Sequence, residues 1–295
     1  MSVRIVRSLA DLRGLTAQWR REGATIGVVP TMGALHEGHL SLVHTAQRRA
    51  TRVIVTLFVN PKQFNSASDL AQYPRTERED AVKLADTGAD VLYVPDADSI
   101  YPPGFVTTVS VAGPSQGLDG AARPGHFDGV ATVVTKLLLQ TDADLAFFGE
   151  KDFQQLQVVR RLVRDLDLDV AILGCPTVRE ADGLAMSSRN VRLSPTERRL
   201  APQIYAAMLV AAERIASGVP IATVLEDCRA ALLAGGFGPV DYVELRGAET
   251  LAPVRSAPVE PARLLVAAWL GSTRLIDNIA VAALNRTADA LLPAA

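Results

Sequence analysis

Two histidines stand three residues apart in Pro30-Thr31-Met32-Gly33-Ala34-Leu35-His36-Glu37-Gly38-His39. On the first turn of a helix that spacing puts both side chains on one face. Substitution at an α-phosphate builds negative charge on the phosphate oxygens and on departing pyrophosphate. Two imidazole donors can stabilise that charge where water is largely excluded, a preorganised donor being worth about 3–4 kcal/mol. A histidine can also hand a proton to a leaving group. Gly33 and Gly38 let the backbone approach a ligand closely. A helix starting near Gly38 would offer free N–H groups and the positive end of its dipole to phosphate. Two other readings stand beside this one. A metal could take the pair, but His-Glu-Gly-His is one residue short of the zinc-protease pattern. The pair could also be structural. Its place after a strand, with flanking glycines, favours phosphate.

Further groups recur at comparable places. Phe58-Val59-Asn60-Pro61-Lys62-Gln63-Phe64 carries two neutral amides, and Gln63 can donate to a carboxylate or accept from a hydroxyl. Gly149-Glu150-Lys151-Asp152-Phe153-Gln154-Gln155 offers Lys151 as a point charge for phosphate. Asp152 there competes as a simple helix N-cap, and Gln155 lies one turn further along the same face. Arg179 to Asn190 includes Ser187, Ser188 and Arg189, which suit a loop closing over a triphosphate; an interdomain linker has the same composition. Arg123 could attract an anion, while His126 reads as a structural histidine.

The elements that must position these residues alternate in the first half. Thr25–Val29, Arg52–Phe58, Val91–Val94, Leu145–Phe148 and Asp169–Gly174 read as strands; Leu40–Ala50, Gly129–Gln140 and Asp152–Leu166 read as helices. Thr76 with Glu79 is a capping-box pattern opening a helix that ends near Gly88. Such alternation predicts a doubly wound parallel sheet, whose ligands sit outside the carboxyl ends of the strands. The second half predicts a helix from the Ser194-Pro195-Thr196-Glu197 box to Ser217-Gly218, another over Ile221–Ala234, and three strands, Val240–Arg246, Arg263–Leu270 and Thr273–Ile279. The last two meet at a Gly271-Ser272 hairpin. The fold class is therefore α/β, a Rossmann-like first domain (residues 1–180) followed by a smaller C-terminal α+β domain (residues 181–295). The junction falls between Thr177 and Ser188. The tail after Ile279 reads as a helix or a frayed end.

Composition narrows the function classes. A net charge of -2 gives no basic field for nucleic acid. Arginine outnumbers lysine so strongly that only Lys62, Lys83, Lys136 and Lys151 remain, a bias that reads as genome composition. Cys175 and Cys228 are far apart in no metal-like spacing and read as reduced thiols of a cytosolic protein. Met1 to Leu15 has no signal-peptide core, and no apolar run reaches the roughly 18–20 residues of a membrane span.

The same motifs resemble those of the pantoate–β-alanine ligase (pantothenate synthetase) family, within the His-x-Gly-His nucleotidyltransferase superfamily. The similarity runs through Pro30–His39, Phe58–Phe64, Tyr73–Thr76, Arg123–Phe127, Gly149–Gln155 and Arg179–Asn190, and more weakly through Asp241–Arg246 and Thr273–Ile279. It covers almost the whole chain, without departure at the motif positions. The resemblance implies ATP as a substrate with accompanying Mg2+, and a two-step ligation of pantoate and β-alanine through pantoyl adenylate, releasing pyrophosphate and AMP. It implies that Met32, Gly33, Ala34, Leu35, His36, Glu37, Gly38 and His39 contact ATP, with His39, His36 and Lys151 catalytic and His39 the proton donor. Gly149, Glu150, Lys151, Asp152, Val178, Met186, Ser187, Ser188 and Arg189 complete the implied ATP site. Gln63 and Gln155 would hold pantoate, and Gln63 also β-alanine. A cytoplasmic homodimer with a C-terminal lid domain is implied, without nucleic-acid or membrane partners. Two other readings are a related nucleotidyltransferase that leaves AMP on its product and a nucleotide-binding regulator without turnover. Free AMP would separate the first. Loss of the His pair or Lys151 would mark the second, and neither is lost.

Overall fold

A computed structural model describes residues 3–256 and 258–283. The chain divides into two compact units, residues 1–179 with Met186–Ser188, and Glu180–Ala185 with residues 189–295.

The first unit runs β1 (Arg4–Val6), α1 (Leu9–Arg21), β2 (Ile26–Thr31), α2 (Glu37–Gln47), β3 (Arg52–Leu57), α3 (Ala67–Gln72), α4 (Glu77–Thr87), β4 (Val91–Tyr93), α5 (Ala97–Ile100), α6 (Leu118–Ala122), α7 (His126–Thr141), β5 (Leu145–Gly149), α8 (Phe153–Asp165) and β6 (Ala171–Cys175). Its strands form one parallel sheet in the order β1-β4-β3-β2-β5-β6. From β2 the chain winds outward through β3 and β4, then returns to the other side of β2 for β5 and β6. The winding direction therefore reverses between β2 and β5, and the loops leaving those two strands diverge there. This is where an open parallel sheet binds ligands.

Alternation along the strands supplies both faces of the sheet. Val28, Ile54, Ala146 and Phe148 pack on one side with Leu12 of α1, Val130 and Val134 of α7 and Leu156 of α8. Val29, Val53, Val55 and Phe147 pack on the other with Leu42, Val43 and Ala46 of α2 and Leu84 of α4. Full burial of a side chain such as Phe147 contributes about 1.5–3 kcal/mol. The sheet is thus a rigid base for the loops at its carboxyl edge.

Three local expectations change. β1 and α1 precede the predicted elements: a three-residue strand is too short for a period to show, and α1 starts at Ser8, whose hydroxyl caps the Asp11 N–H. Thr76 is the N-cap residue of α4 but makes no capping bond. Its hydroxyl bonds the Asp80 carboxylate at 3.1 Å instead. α4 does end at Gly88, in the left-handed conformation.

In the second unit, Ser194 and Glu197 form a reciprocal capping box with Pro195 at the first turn of α9 (Pro195–Leu200). The single long helix expected here is broken at Ala201-Pro202, because Pro202 has no N–H for an interior helical bond. It opens α10 (Gln203–Ala216), which is followed by α11 (Ile221–Ala234). The strands β7 (Val240–Gly247), β8 (Ala262–Leu270) and β9 (Thr273–Val281) form an antiparallel sheet. Leu270 pairs with Thr273 across Gly271-Ser272, and Gly271 takes φ +57°, as the first central residue of a tight hairpin requires. β9 extends past Ile279 to Val281, and the rest of the expected tail, from residue 284, lies outside the described residues.

Candidate active site

The loop after β2 carries the histidine pair into α2. His36 is the N-cap residue, and its Nδ1 accepts the Gly38 N–H at 3.1 Å. Nδ1 of His39 accepts the His36 N–H at 3.3 Å. Two histidines thus make the reciprocal cap more often built from Ser/Thr and Glu. A ring nitrogen that accepts from an amide carries no proton, so each neutral ring keeps its proton on Nε2. The ring centroids lie 4.1 Å apart. This revises the expected source of phosphate donors. The Gly38 and His36 N–H groups are bonded to the rings, and the His39 N–H to the His36 carbonyl. The ring Nε2–H groups, rather than these backbone N–H groups, are therefore the donors of this turn that bear on phosphate chemistry. Gly38 is required by the same arrangement, since an added Cβ would lie 2.8 Å from Cε1 of His36.

His39 is half-buried, its ring crowded by protein. Burial pushes its pKa down to about 3, with help from the charges of His36, Lys151 and Lys83. His39 is therefore neutral at physiological pH. The same electrostatics place Lys151, on the Glu150–Asp152 turn after β5, near the pair. Asp152 occupies the N-cap position of α8 without a capping bond, so the competing structural reading of its carboxylate fails.

The two glutamines of α8 have separate fates. Gln154 is buried, accepts the Asp119 N–H and donates to the Pro114 carbonyl. Gln155 is half-buried and its side chain has no hydrogen-bond partner among the described residues. Gln63 closes a one-turn 3-10 helix after β3. Its Oε1 accepts from Asn60 at 2.9 Å, and its Nε2 contacts Sδ of Met32 at 2.9 Å. Asn60 is fixed in turn by the Gly129 carbonyl and the Tyr101 hydroxyl. The Gln63 carbonyl accepts from His126 Nδ1 and Arg123. His126 is thus a hydrogen-bonded structural histidine, and Arg123 helps hold the turn.

Met186 bonds its N–H to the Val178 carbonyl and lies beside Gly38, and Ser188 meets the Tyr73 hydroxyl at 3.3 Å. These contacts bring Met186, with Val178 behind it, to the histidine loop and Ser188 to the end of α3, all within the first unit. Arg189 falls in the second unit. Among the described residues no three His, Cys, Asp or Glu side chains cluster to hold a metal, and no helix is long and apolar enough to cross a membrane.

Sequence reasoning missed Asp80 and Tyr101. Asp80 is completely buried, and its carboxylate accepts the N–H groups of Ala34 at 2.9 Å and Leu35 at 2.7 Å. Those bonds fix a turn in which Ala34 takes the left-handed φ of +51°. No local pattern announces a partner 45 residues away. One available signal was the rarity of lysine in this chain: Lys83 and Lys151 both act on His39, and Lys62 and Lys136 both stack on Phe105.

His126 gives the fold a pH dependence. Burial, then the Arg123 charge, push its pKa down to about 4, against about 6.5 in an unfolded chain. Between those values the unfolded chain binds a proton that the folded chain does not, so stability falls as pH falls from 6.5 towards 4. The loss from His126 at pH 5 is about 2 kcal/mol. In urea unfolding, His126→Asn should be less destabilised between pH 7 and pH 5 than the parent by about that amount. Equal pH dependence in both proteins would contradict the assignment.

The pantoate-beta-alanine ligase family model matches residues 4–280. The chain belongs to that family. A pantothenate synthetase of Chelativorans sp. (strain BNC1) is 67% identical over 96% of this chain and 99% of its own. The crystal structure of the pantothenate synthetase from Thermus thermophilus is 45% identical, with a TM-score of 0.87 over 95% of this chain and 100% of that one. A pantoate-beta-alanine ligase from Francisella tularensis, complexed with beta-gamma ATP and beta-alanine, is 33% identical with a TM-score of 0.80, over 94% and 97% of the two chains.

Proposed function

We propose that this chain joins pantoate to β-alanine at the expense of ATP. The observation that carries the reading is the histidine pair at the reversal of the sheet, its Nδ1 atoms tied to the backbone so that the ring protons sit on Nε2. A pantoate carboxylate oxygen attacks the α-phosphorus, and the bond to pyrophosphate breaks. The β-alanine amine then attacks the acyl carbon, the acyl–AMP bond breaks, and the amine loses a proton. His36 and His39 donate hydrogen bonds to the charge that builds in the first step. The low pKa of His39 recasts its role as a neutral donor rather than an imidazolium acid. Lys151 opposes the phosphate charge. Residues Met32 to His39 and Gly149 to Asp152, with Val178 and Met186 to Ser188, hold the nucleotide. Magnesium enters as part of the MgATP substrate, held chiefly by phosphate oxygens and water, as this ion prefers.

Gln63 and Gln155 hold pantoate, and Gln63 also borders the β-alanine site. The Gln63 turn depends on Gly129, where a Cβ would fall 2.5 Å from the Lys62 carbonyl carbon. Gly129→Ala must therefore displace the turn, and the KM for pantoate should rise about tenfold or more, the scale of one lost hydrogen bond to a charged group. ATP affinity should stay within about twofold. Steady-state kinetics would reveal an unchanged pantoate KM if the turn is unimportant.

A cytoplasmic homodimer belongs to the same reading, supported by the family resemblance. The experiment that tests the function is product analysis with pantoate, β-alanine and MgATP. Free AMP and pantothenate should appear in equal amounts. AMP retained on the product would favour the related nucleotidyltransferase reading instead.

A further inference from the structure

Helix α4 reaches the histidine loop with two side chains one turn apart. Asp80 accepts the Ala34 and Leu35 N–H groups, and Lys83 Nζ donates to the Leu35 carbonyl at 2.6 Å. The Leu35 residue is therefore held at both ends of its backbone, immediately before His36. Asp80 receives a third bond from the Thr76 hydroxyl. Gly33 precedes the clamp and Ala34 lies in it, both at positive φ, and an added Cβ at Gly33 would lie 3.2 Å from the Asp80 carboxylate. Without these bonds, a left-handed alanine would relax towards ordinary backbone angles.

We propose that Asp80 and Lys83 are positioning residues for the reaction: together they clamp the Ala34–Leu35 backbone and thereby set the placement of His36 and His39. The inference rests on the catalytic role of the histidine pair. Asp80 supplies charge-assisted acceptors inside the fold, where they are strong. Lys83, an exposed residue of α4, supplies a donor to the loop through its ammonium group. Neither residue needs to touch the substrate. Displacement of a donor by about 1 Å is enough to cost a large factor in rate.

Four variants test this: Lys83→Met, Lys83→Arg, Asp80→Asn and His39→Ala. The readouts are pantoate-dependent adenylation, urea unfolding, and the 15N shifts of the His36 and His39 imidazoles. Lys83→Met should lower the adenylation rate constant roughly tenfold, on the scale of one lost charge-assisted bond. Its unfolding midpoint should be unchanged, and the Nδ1 shifts of the pair should move. Lys83→Arg, which keeps a charged donor, should restore most of the rate. Asp80→Asn, which sets an amide donor against a backbone donor, should cost about a hundredfold. Because Lys83 lies on the surface, its variants remain informative even if Asp80→Asn does not fold. If His39→Ala is slow while folded Lys83→Met matches the parent in rate and in imidazole shifts, the clamp is refuted. If His39→Ala itself matches the parent, the fault lies with the functional reading beneath it.

Discussion

Replacing His39 with alanine is expected to lower the adenylation rate constant at least about a hundredfold, the usual cost of removing one preorganised donor from developing phosphate charge. The KM for ATP should change far less, because the interaction matters most where charge accumulates. His39 also accepts the His36 N–H, so alanine frees one end of the reciprocal cap and lets the His36 ring turn. The effect should therefore be non-additive with His36→Ala, the double variant losing less than the product of the two. Asparagine at position 39, which can present an amide N–H, should recover part of the rate. Single-turnover measurement of adenylate formation is the check, and near-normal rates in the alanine variant would sink the proposed role.

Lys151→Ala should slow the same step by about a hundredfold as well, since a cation beside the phosphates stabilises charge that grows in the transition state. Lys151 lies on a one-turn helix after β5, at the reversal of the sheet, and its charge reaches His39. The residue is only half-buried, so its loss should leave the unfolding midpoint where it was. Adenylation and the β-alanine step are to be measured separately. A change confined to β-alanine affinity would move Lys151 to that subsite.

The parallel sheet was legible because its strands are short β-branched runs at regular distance, and because each strong turn signal lies at a carboxyl end. Long elements such as α7, with apolar residues on nearly every side, could not be mistaken for loops. The break in the long helix of the second unit was equally visible in principle, since Pro202 stands inside it. Long-range polar contacts were not legible. Thr76 and Glu79 have the spacing of a cap, yet the hydroxyl turns to Asp80, one residue later, because that carboxylate is buried against the histidine loop. Gln154 and Gln155 are identical in type and adjacent in sequence. Only packing shows that the first is consumed by the Pro114–Asp119 loop. The histidine pair was visible as a motif, but its mutual capping and the consequent Nε2–H tautomers depend on backbone geometry that spacing does not encode.

The histidine pair is proposed to serve a reversible attack of pantoate on the α-phosphate of ATP. Its most direct test is the exchange of labelled pyrophosphate into ATP with pantoate present and β-alanine absent. Pantoate-dependent exchange is expected, strongly reduced in His39→Ala. Folded protein that makes pantothenate yet shows no pantoate-dependent exchange would contradict it.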